Sequence, residues 1–123
     1  MSIHVKRIYD EAADEDGFRV LVDRLWPRGV TKQGAKIDAW FKDLAPSNEL
    51  RKWYGHDTEK WDEFRNRYFS ELDRKPEQVA ELAAKARAGR TTLLYAAADT
   101  RFNNAVALRE YLDRVLSPPR ARP

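Results

Sequence analysis

Apolar positions fall along this chain in two rhythms, short continuous runs and stripes at helical spacing. Ser2 to Tyr9 is rich in β-branched and aromatic residues and ends at Asp10-Glu11, which predicts a strand. An acidic turn closes at Gly17, and Phe18 to Trp26 follows with Val20-Leu21-Val22 near its start. A continuous apolar run of this kind suits a strand covered on both faces, and Pro27 and Gly29 stop it.

Four helical patterns come next. Ile37, Trp40, Phe41 and Leu44 repeat at i, i+3, i+4 and i+7, which predicts a helix ended by Pro46. Ser47 is placed to cap a short helix carrying Leu50 and Trp53 and terminated by Gly55. Asp57 or Thr58 can cap a longer helix with the stripe Trp61, Phe64, Tyr68 and Leu72. Pro76 sits where a first turn tolerates it, and Val79, Leu82, Ala83 and Ala86 run to a stop at Gly89.

Thr91 to Ala97, with Leu93, Leu94 and Tyr95, predicts a second buried strand, and Asp99 to Asn103 a short loop. Ala105, Leu108, Leu112, Val115 and Leu116 line a last helix that Pro118-Pro119 ends. The expected order is β-β-α-α-α-α-β-α. That order implies an α/β class: a single small layered domain over residues 1–116, with a short, mostly parallel sheet flanked by helices. Residues 117–123, Ser-Pro-Pro-Arg-Ala-Arg-Pro, form an expected flexible tail.

Composition narrows the chemistry. The chain has 123 residues, no cysteine and two histidines, His4 and His56. Without cysteine there is no disulfide, thiolate nucleophile or cysteine-held metal, and two histidines exclude a three-histidine site. No cofactor and no metal site is therefore expected. No apolar run approaches the ~18 residues of a membrane span and no signal peptide opens the chain, so the expected setting is cytoplasmic, away from membranes.

The formal net charge is +3. It is uneven: residues 1–16 sum to −3, residues 17–37 to +4, and the tail to +2. A basic patch of this local kind points to a site, while a basic surface spread over the whole domain would point to nucleic acid.

In open α/β sheets, ligands bind beyond the carboxyl ends of the strands. That rule selects Asp23-Arg24-Leu25-Trp26-Pro27-Arg28-Gly29, after the second strand, and Tyr95 through Asn104, after the last. Arg7, Tyr9 and Asp10, leaving the first strand, can join them. Arg24 and Arg28 carry planar forks of donors suited to phosphate or carboxylate, although Asp23 and one arginine could equally form a structural ion pair, with Trp26 in the core. Asn103 and Asn104 sit where the last helix would offer an anion its N-terminus, and Asn103 or Asp99 could instead serve as the cap. Asp99 facing arginines across a cleft is a candidate general base, and Tyr95, on a buried strand, is more often core. His56 is the mid-chain group that would titrate near neutrality, so it is a second catalytic candidate, with a cap or surface role as its alternative. Gly29 to Lys36 lacks the lysine spacing and the Ser/Thr of a phosphate-binding P-loop.

The blocks Val22-Asp23-Arg24-Leu25-Trp26-Pro27-Arg28-Gly29, Leu50-Arg51-Lys52-Trp53-Tyr54-Gly55-His56-Asp57 and Leu93-Leu94-Tyr95-Ala96-Ala97, with Asn103 and Leu108, resemble the YeaO-like family of small bacterial proteins. The resemblance runs from about Ile3 to Leu116 and implies one compact α/β domain with a shared cleft near the Asp-Arg-Leu-Trp-Pro-Arg-Gly block. It implies no activity, because the family is grouped under a domain of unknown function. Two positions depart from the family pattern: Ala98, where a lysine is common, and Asn104, where a histidine is common. If relatives use those groups for chemistry, this chain binds without catalysing or works with Asp99 and Asn103 alone.

Together these readings give two expectations. The first is an enzyme or enzyme-like protein that binds an anionic small molecule, phosphate- or carboxylate-bearing or nucleotide-like, at the strand ends. The second is a non-catalytic nucleic-acid or protein-interaction module using residues 17–37 and the tail. Neither fixes an oligomeric state.

Overall fold

The computed structural model describes residues 3–117. Four strands form one parallel sheet: β1 (Ile3–Arg7), β2 (Phe18–Leu21), β3 (Ala39–Trp40) and β4 (Thr91–Tyr95), in the spatial order β1-β4-β2-β3. β4 is thus central, pairing with β1 from Ile3↔Thr91 to Arg7↔Tyr95 and with β2 from Phe18↔Thr91 to Leu21↔Leu94. All five of its residues are buried.

Five helices complete the fold: α1 (Lys32–Ala35), α2 (Asn48–Tyr54), α3 (Trp61–Asp73), α4 (Pro76–Ala88) and α5 (Asn104–Leu116). The larger core lies between the sheet and α2 to α5, where Val20, Val22, Leu93 and Tyr95 meet Leu50, Phe64, Tyr68, Leu82, Leu108 and Leu112. Leu21 and Leu94 point the other way, into a smaller core with Ile8 and Ala35, closed by Trp26, Val30 and Ile37. Alternating side chains therefore find an apolar cover on each face, which is why Val20-Leu21-Val22 and Leu93-Leu94-Tyr95 read as unbroken apolar runs.

The helix ends follow their sequence signals. Ser47 Oγ accepts from Leu50 N at 3.1 Å and caps α2, while the Ser47 hydroxyl and N–H both donate to Glu71 on α3, at 2.6 and 2.9 Å. Gly55 ends α2 in the left-handed region at φ 52°. Asp57 caps a single 3-10 turn, Thr58–Lys60, that leads into α3. Pro76 opens α4, and Asn103 Oδ1 accepts from Val106 N at 2.9 Å to cap α5.

The mixed α/β class and the parallel sheet agree with the sequence reading, but the expected helix over Ile37, Trp40, Phe41 and Leu44 does not form. That stretch is the two-residue edge strand β3 followed by one 3-10 turn, Lys42–Leu44. The open edge of β2 captures it: Asp38 N donates to Arg19 O at 2.8 Å and Phe41 N to Leu21 O at 2.9 Å. Asp38 also accepts Arg19 N through its carboxylate, at 2.8 Å. Ile37 packs on the smaller core, Phe41 and Leu44 pack on the larger one, and Trp40 is exposed with its ring edge-on to Trp26, so the four apolar positions do not form one helical stripe. The expected strands also end early, at Leu21 and Tyr95, so both continue as loops at the sheet's carboxyl end.

The amino end of the sheet is held by a buried ionic cluster. Arg19, 4% exposed, donates to Asp16 Oδ2 at 2.5 Å and to the Ala35 carbonyl at 2.8 Å. Lys6 donates to both Asp16 oxygens at 3.2 Å. Burial pushes the Asp16 carboxyl up, but the Ala13 N–H, Lys6 and Arg19 outweigh it and hold the group below its ordinary value. No helix among the described residues is long and apolar enough to cross a membrane. Residues 118–123 of the expected tail lie outside the described residues.

Candidate functional site

The two loops that extend β2 and β4, with the N-terminus of α5 and the end of α2, enclose a pocket of about 360 Å³ at the carboxyl end of the sheet. Its residues fall into three chemical groups. Tyr54, Phe64, Phe102, Trp26 and Pro27 give an apolar, mostly aromatic wall. Arg24, Arg28, Arg51 and His56 bring positive or titratable groups. Asp23, the one carboxylate in the lining, is joined by Asn103 and Asn104.

Asp23 is fixed by both neighbouring elements. Its Oδ2 accepts from Ala96 N at 2.9 Å and its Oδ1 from Asn104 Nδ2 at 3.0 Å. The same amide of Asn104 donates to Val22 O at 3.0 Å, so α5 is pinned to the loop after β2. Burial raises the Asp23 carboxyl above its ordinary value; the Asn104 amide, the Ala96 N–H and the charge of Arg51 only partly offset it.

The arginines differ in how far the fold already occupies them. Arg24 donates from Nε to Pro46 O at 3.1 Å and from Nη2 to Ala45 O at 3.4 Å, so it braces the turn before α2. Arg51 is exposed, with Nη1 on Asn48 Oδ1 at 3.3 Å. Arg28 is exposed, and among the described residues only its backbone carbonyl is engaged, by the Tyr9 hydroxyl at 3.2 Å. Trp26 is half-buried, its indole N–H donating to Val30 O at 2.7 Å and its ring meeting Trp40 edge-on at 5.5 Å. The rigid aromatic thus sets the course of the loop that presents Arg28.

The aromatic wall is continuous with the larger core. Tyr54 and Phe64 lie 4.4 Å apart between ring centres, and Trp61 supports both Phe64 and Phe102 from behind at 5.6 and 5.4 Å. The Tyr54 hydroxyl donates to Phe102 O at 3.3 Å, and burial, with Asp99 and Asp57, pushes its pKa up. It therefore stays a neutral donor.

Of the residues selected from the sequence, Tyr9, Asp23, Arg24, Trp26, Arg28, His56, Asn103 and Asn104 come together in this pocket, whereas Arg7, Asp10, Tyr95 and Asp99 are not part of its lining. Arg7 donates to Ala97 O at 2.9 Å and Ala96 O at 3.2 Å, fastening the loop after β4. Tyr95 is core, 3% exposed. Asp99 Oδ1 accepts from Phe102 N and Arg101 N at 3.0 and 2.8 Å, and these bonds hold its carboxyl below the ordinary value. A carboxylate so stabilised in its charged form is a poor proton acceptor. Asn103 caps α5 and donates to Asp99 O at 2.9 Å. His56 is exposed, in the left-handed region at φ 60° directly after Gly55.

Arg51 and Phe64 lie outside the stretches that the sequence selects, and Tyr54 and Phe102, which flank His56 and Asn103, carry no sequence signal of their own for a place in the pocket. Tyr54 and Phe64 sit at core spacing, and nothing in the local pattern marks a core aromatic whose other face is open. The stop at Gly55 was the available signal, since a left-handed turn there brings the end of α2 to the pocket. Of the five cations in residues 17–37, Arg19 and Arg24 are occupied within the fold, leaving Arg28, Lys32 and Lys36 exposed.

A family model described as the inactive DUF488-N3 subclade matches residues 2–121. The uncharacterised protein YeaO of Escherichia coli (strain K12) is 42% identical over 112 residues, covering 91% of this chain and 97% of YeaO. An uncharacterised protein of Mycobacterium tuberculosis (strain H37Rv) is 50% identical over 70 residues, 57% of this chain and 59% of its own length. No solved structure matches the chain.

Proposed function

This chain belongs to the inactive DUF488-N3 subclade, and from that premise we propose that it is a binding protein that holds an anionic small molecule with a planar apolar body. The observation that carries the reading is the pocket's make-up: three arginines against one carboxylate, on a wall of aromatic rings, at the carboxyl end of a parallel sheet. Arg28 and Arg51 supply the charge, because the fold leaves Arg28 without a side-chain partner among the described residues and ties Arg51 only to Asn48. Arg24 positions the wall more than it grips. Binding without turnover is supported by the state of the acid-base groups. Asp99 is tied to backbone N–H groups outside the lining, and Asp23 is fixed by two donors.

Isothermal titration of the full chain with inorganic phosphate and with adenosine 5′-monophosphate tests this. The nucleotide should bind more tightly than phosphate, since only it can use the aromatic wall. Arg28→Ala and Arg51→Ala should each weaken it about tenfold or more, the scale of a lost charge-assisted hydrogen bond. Absence of binding by either anion, or affinity unchanged in both variants, overturns the reading.

A further inference from the structure

We propose that the pocket's ligand has two opposed ends: an anionic group at Arg28 and Arg51, and a planar edge with two adjacent N–H donors seated on Asp23. This rests on the anion-binding reading above and names the other half of the same ligand.

Asp23, in the pocket lining, is a carboxylate without an ion-pair partner among the described residues. No cation is hydrogen-bonded to it: Arg24 donates to Ala45 O and Pro46 O, and Arg51, whose charge acts on Asp23 from beyond ion-pair distance, donates to Asn48. A carboxylate drawn out of water without a cation is costly unless hydrogen bonds or a ligand supply the missing donors.

An ionised carboxylate offers about four acceptor positions, two on each oxygen. Ala96 N fills one on Oδ2 and Asn104 Nδ2 fills one on Oδ1. One acceptor position on each oxygen is left, which is the requirement of a two-pronged donor edge. Because the two existing bonds come from β4's loop and from α5, the carboxylate plane is set before any ligand arrives, and little ordering cost attends binding.

The edge must be planar to lie along Tyr54, Phe64 and Phe102. Guanine, with its ring N–H and exocyclic amine side by side, and a benzamidine share this chemistry. Adenine does not, because its ring nitrogen at the corresponding place is an acceptor and would face the carboxylate's lone pairs.

The test uses wild-type chain and pairs of probes that share the anion and differ at the far edge. Guanosine 5′-monophosphate is titrated against adenosine 5′-monophosphate, and 4-amidinobenzoate against benzoate. A preference of about tenfold or more for the two-donor member of either pair is expected. Which pair shows it identifies the source, a nucleotide or an amidine-bearing acid. Asp23→Asn should abolish that preference. If that variant fails to fold, the wild-type pairs still decide. Equal affinity within both pairs, with phosphate or adenosine 5′-monophosphate still bound through Arg28, overturns this inference and spares the anion reading. If none of the anions binds, both fall.

Discussion

Asn104 and Asp23, 81 positions apart, meet at 3.0 Å where α5 begins and β2 has just ended, and the same Asn104 amide reaches the Val22 carbonyl. This contact joins the two loops that enclose the pocket. Burial raises the Asp23 carboxyl above its ordinary value, and the Asn104 amide partly offsets that by favouring the ionised form.

Asn104→Ala removes both bonds and leaves Val22 O and Asp23 Oδ1 short of a donor. It should lower unfolding free energy by about 1–3 kcal/mol at neutral pH, measured by denaturant titration. The Asp23 carboxyl, already above its ordinary 3.8, should rise further, seen by carbon NMR across an acid titration. Between the ordinary value and the raised one, the folded chain binds more protons than the unfolded chain. Ionising Asp23 therefore costs stability as pH rises through that window, and the variant should widen it.

Arg24 and Arg28 should separate cleanly. Arg24→Ala leaves the Ala45 and Pro46 carbonyls without their donors and should cost about 1–3 kcal/mol of stability. Arg28→Ala touches an exposed side chain and should stay within about 0.5 kcal/mol of wild type. Thermal melts of the two variants compare them directly, and equal destabilisation would show that Arg28 also braces the fold.

At the opposite end of the sheet, Asp16→Asn takes the counter-charge from Arg19, whose side chain is only 5% exposed. Removing one member of a buried pair should cost about 3–5 kcal/mol at pH 7. Since the Asp16 carboxyl lies below its ordinary value in the folded state, its contribution is complete above 3.8 and is lost as pH falls toward the lowered value. The variant should accordingly show a flatter loss of stability in acid, read from denaturant midpoints at several pH values.

Gly17→Ala should be more damaging than its small size suggests. Gly17 has φ 68°, and a Cβ there would stand 2.2 Å from the Arg90 carbonyl oxygen, which also accepts Phe18 N at 2.9 Å. Backbone on both sides would have to move, at the start of the β2–β4 pairing. A loss of at least about 2 kcal/mol is expected by calorimetry.

Much of the fold was legible residue by residue. Ser47, Gly55, Pro76 and Asn103 mark helix ends through groups within four residues of them, and the structure uses each as marked. The failure at Ile37 to Leu44 has the opposite character. Its apolar spacing fits a helix, but the unpaired edge of β2 offers main-chain partners that no local pattern reveals. The site divides the same way. The Asp-Arg-Leu-Trp-Pro-Arg-Gly block stands out by its residue types and its place after a strand, and Asp23 to Arg28 line the pocket, whereas Arg7 and Asp99 look equally chemical in sequence and lie outside the lining, bonded to loop backbone.

The sequence by itself determined the elements whose causes are local: caps, breakers, apolar runs, and a basic stretch centred on one Trp-Pro turn. Tertiary structure alone decided which polar groups remain available. Arg19 and Arg24 are occupied by carbonyls and a carboxylate brought from 3 to 22 positions away, while Arg28 is left facing a pocket. The reason is physical. Propensity and capping act over a few residues, but a buried donor or charge must find its partner wherever the chain's path places one. Which arginine is structural and which is free to bind is therefore a property of the fold.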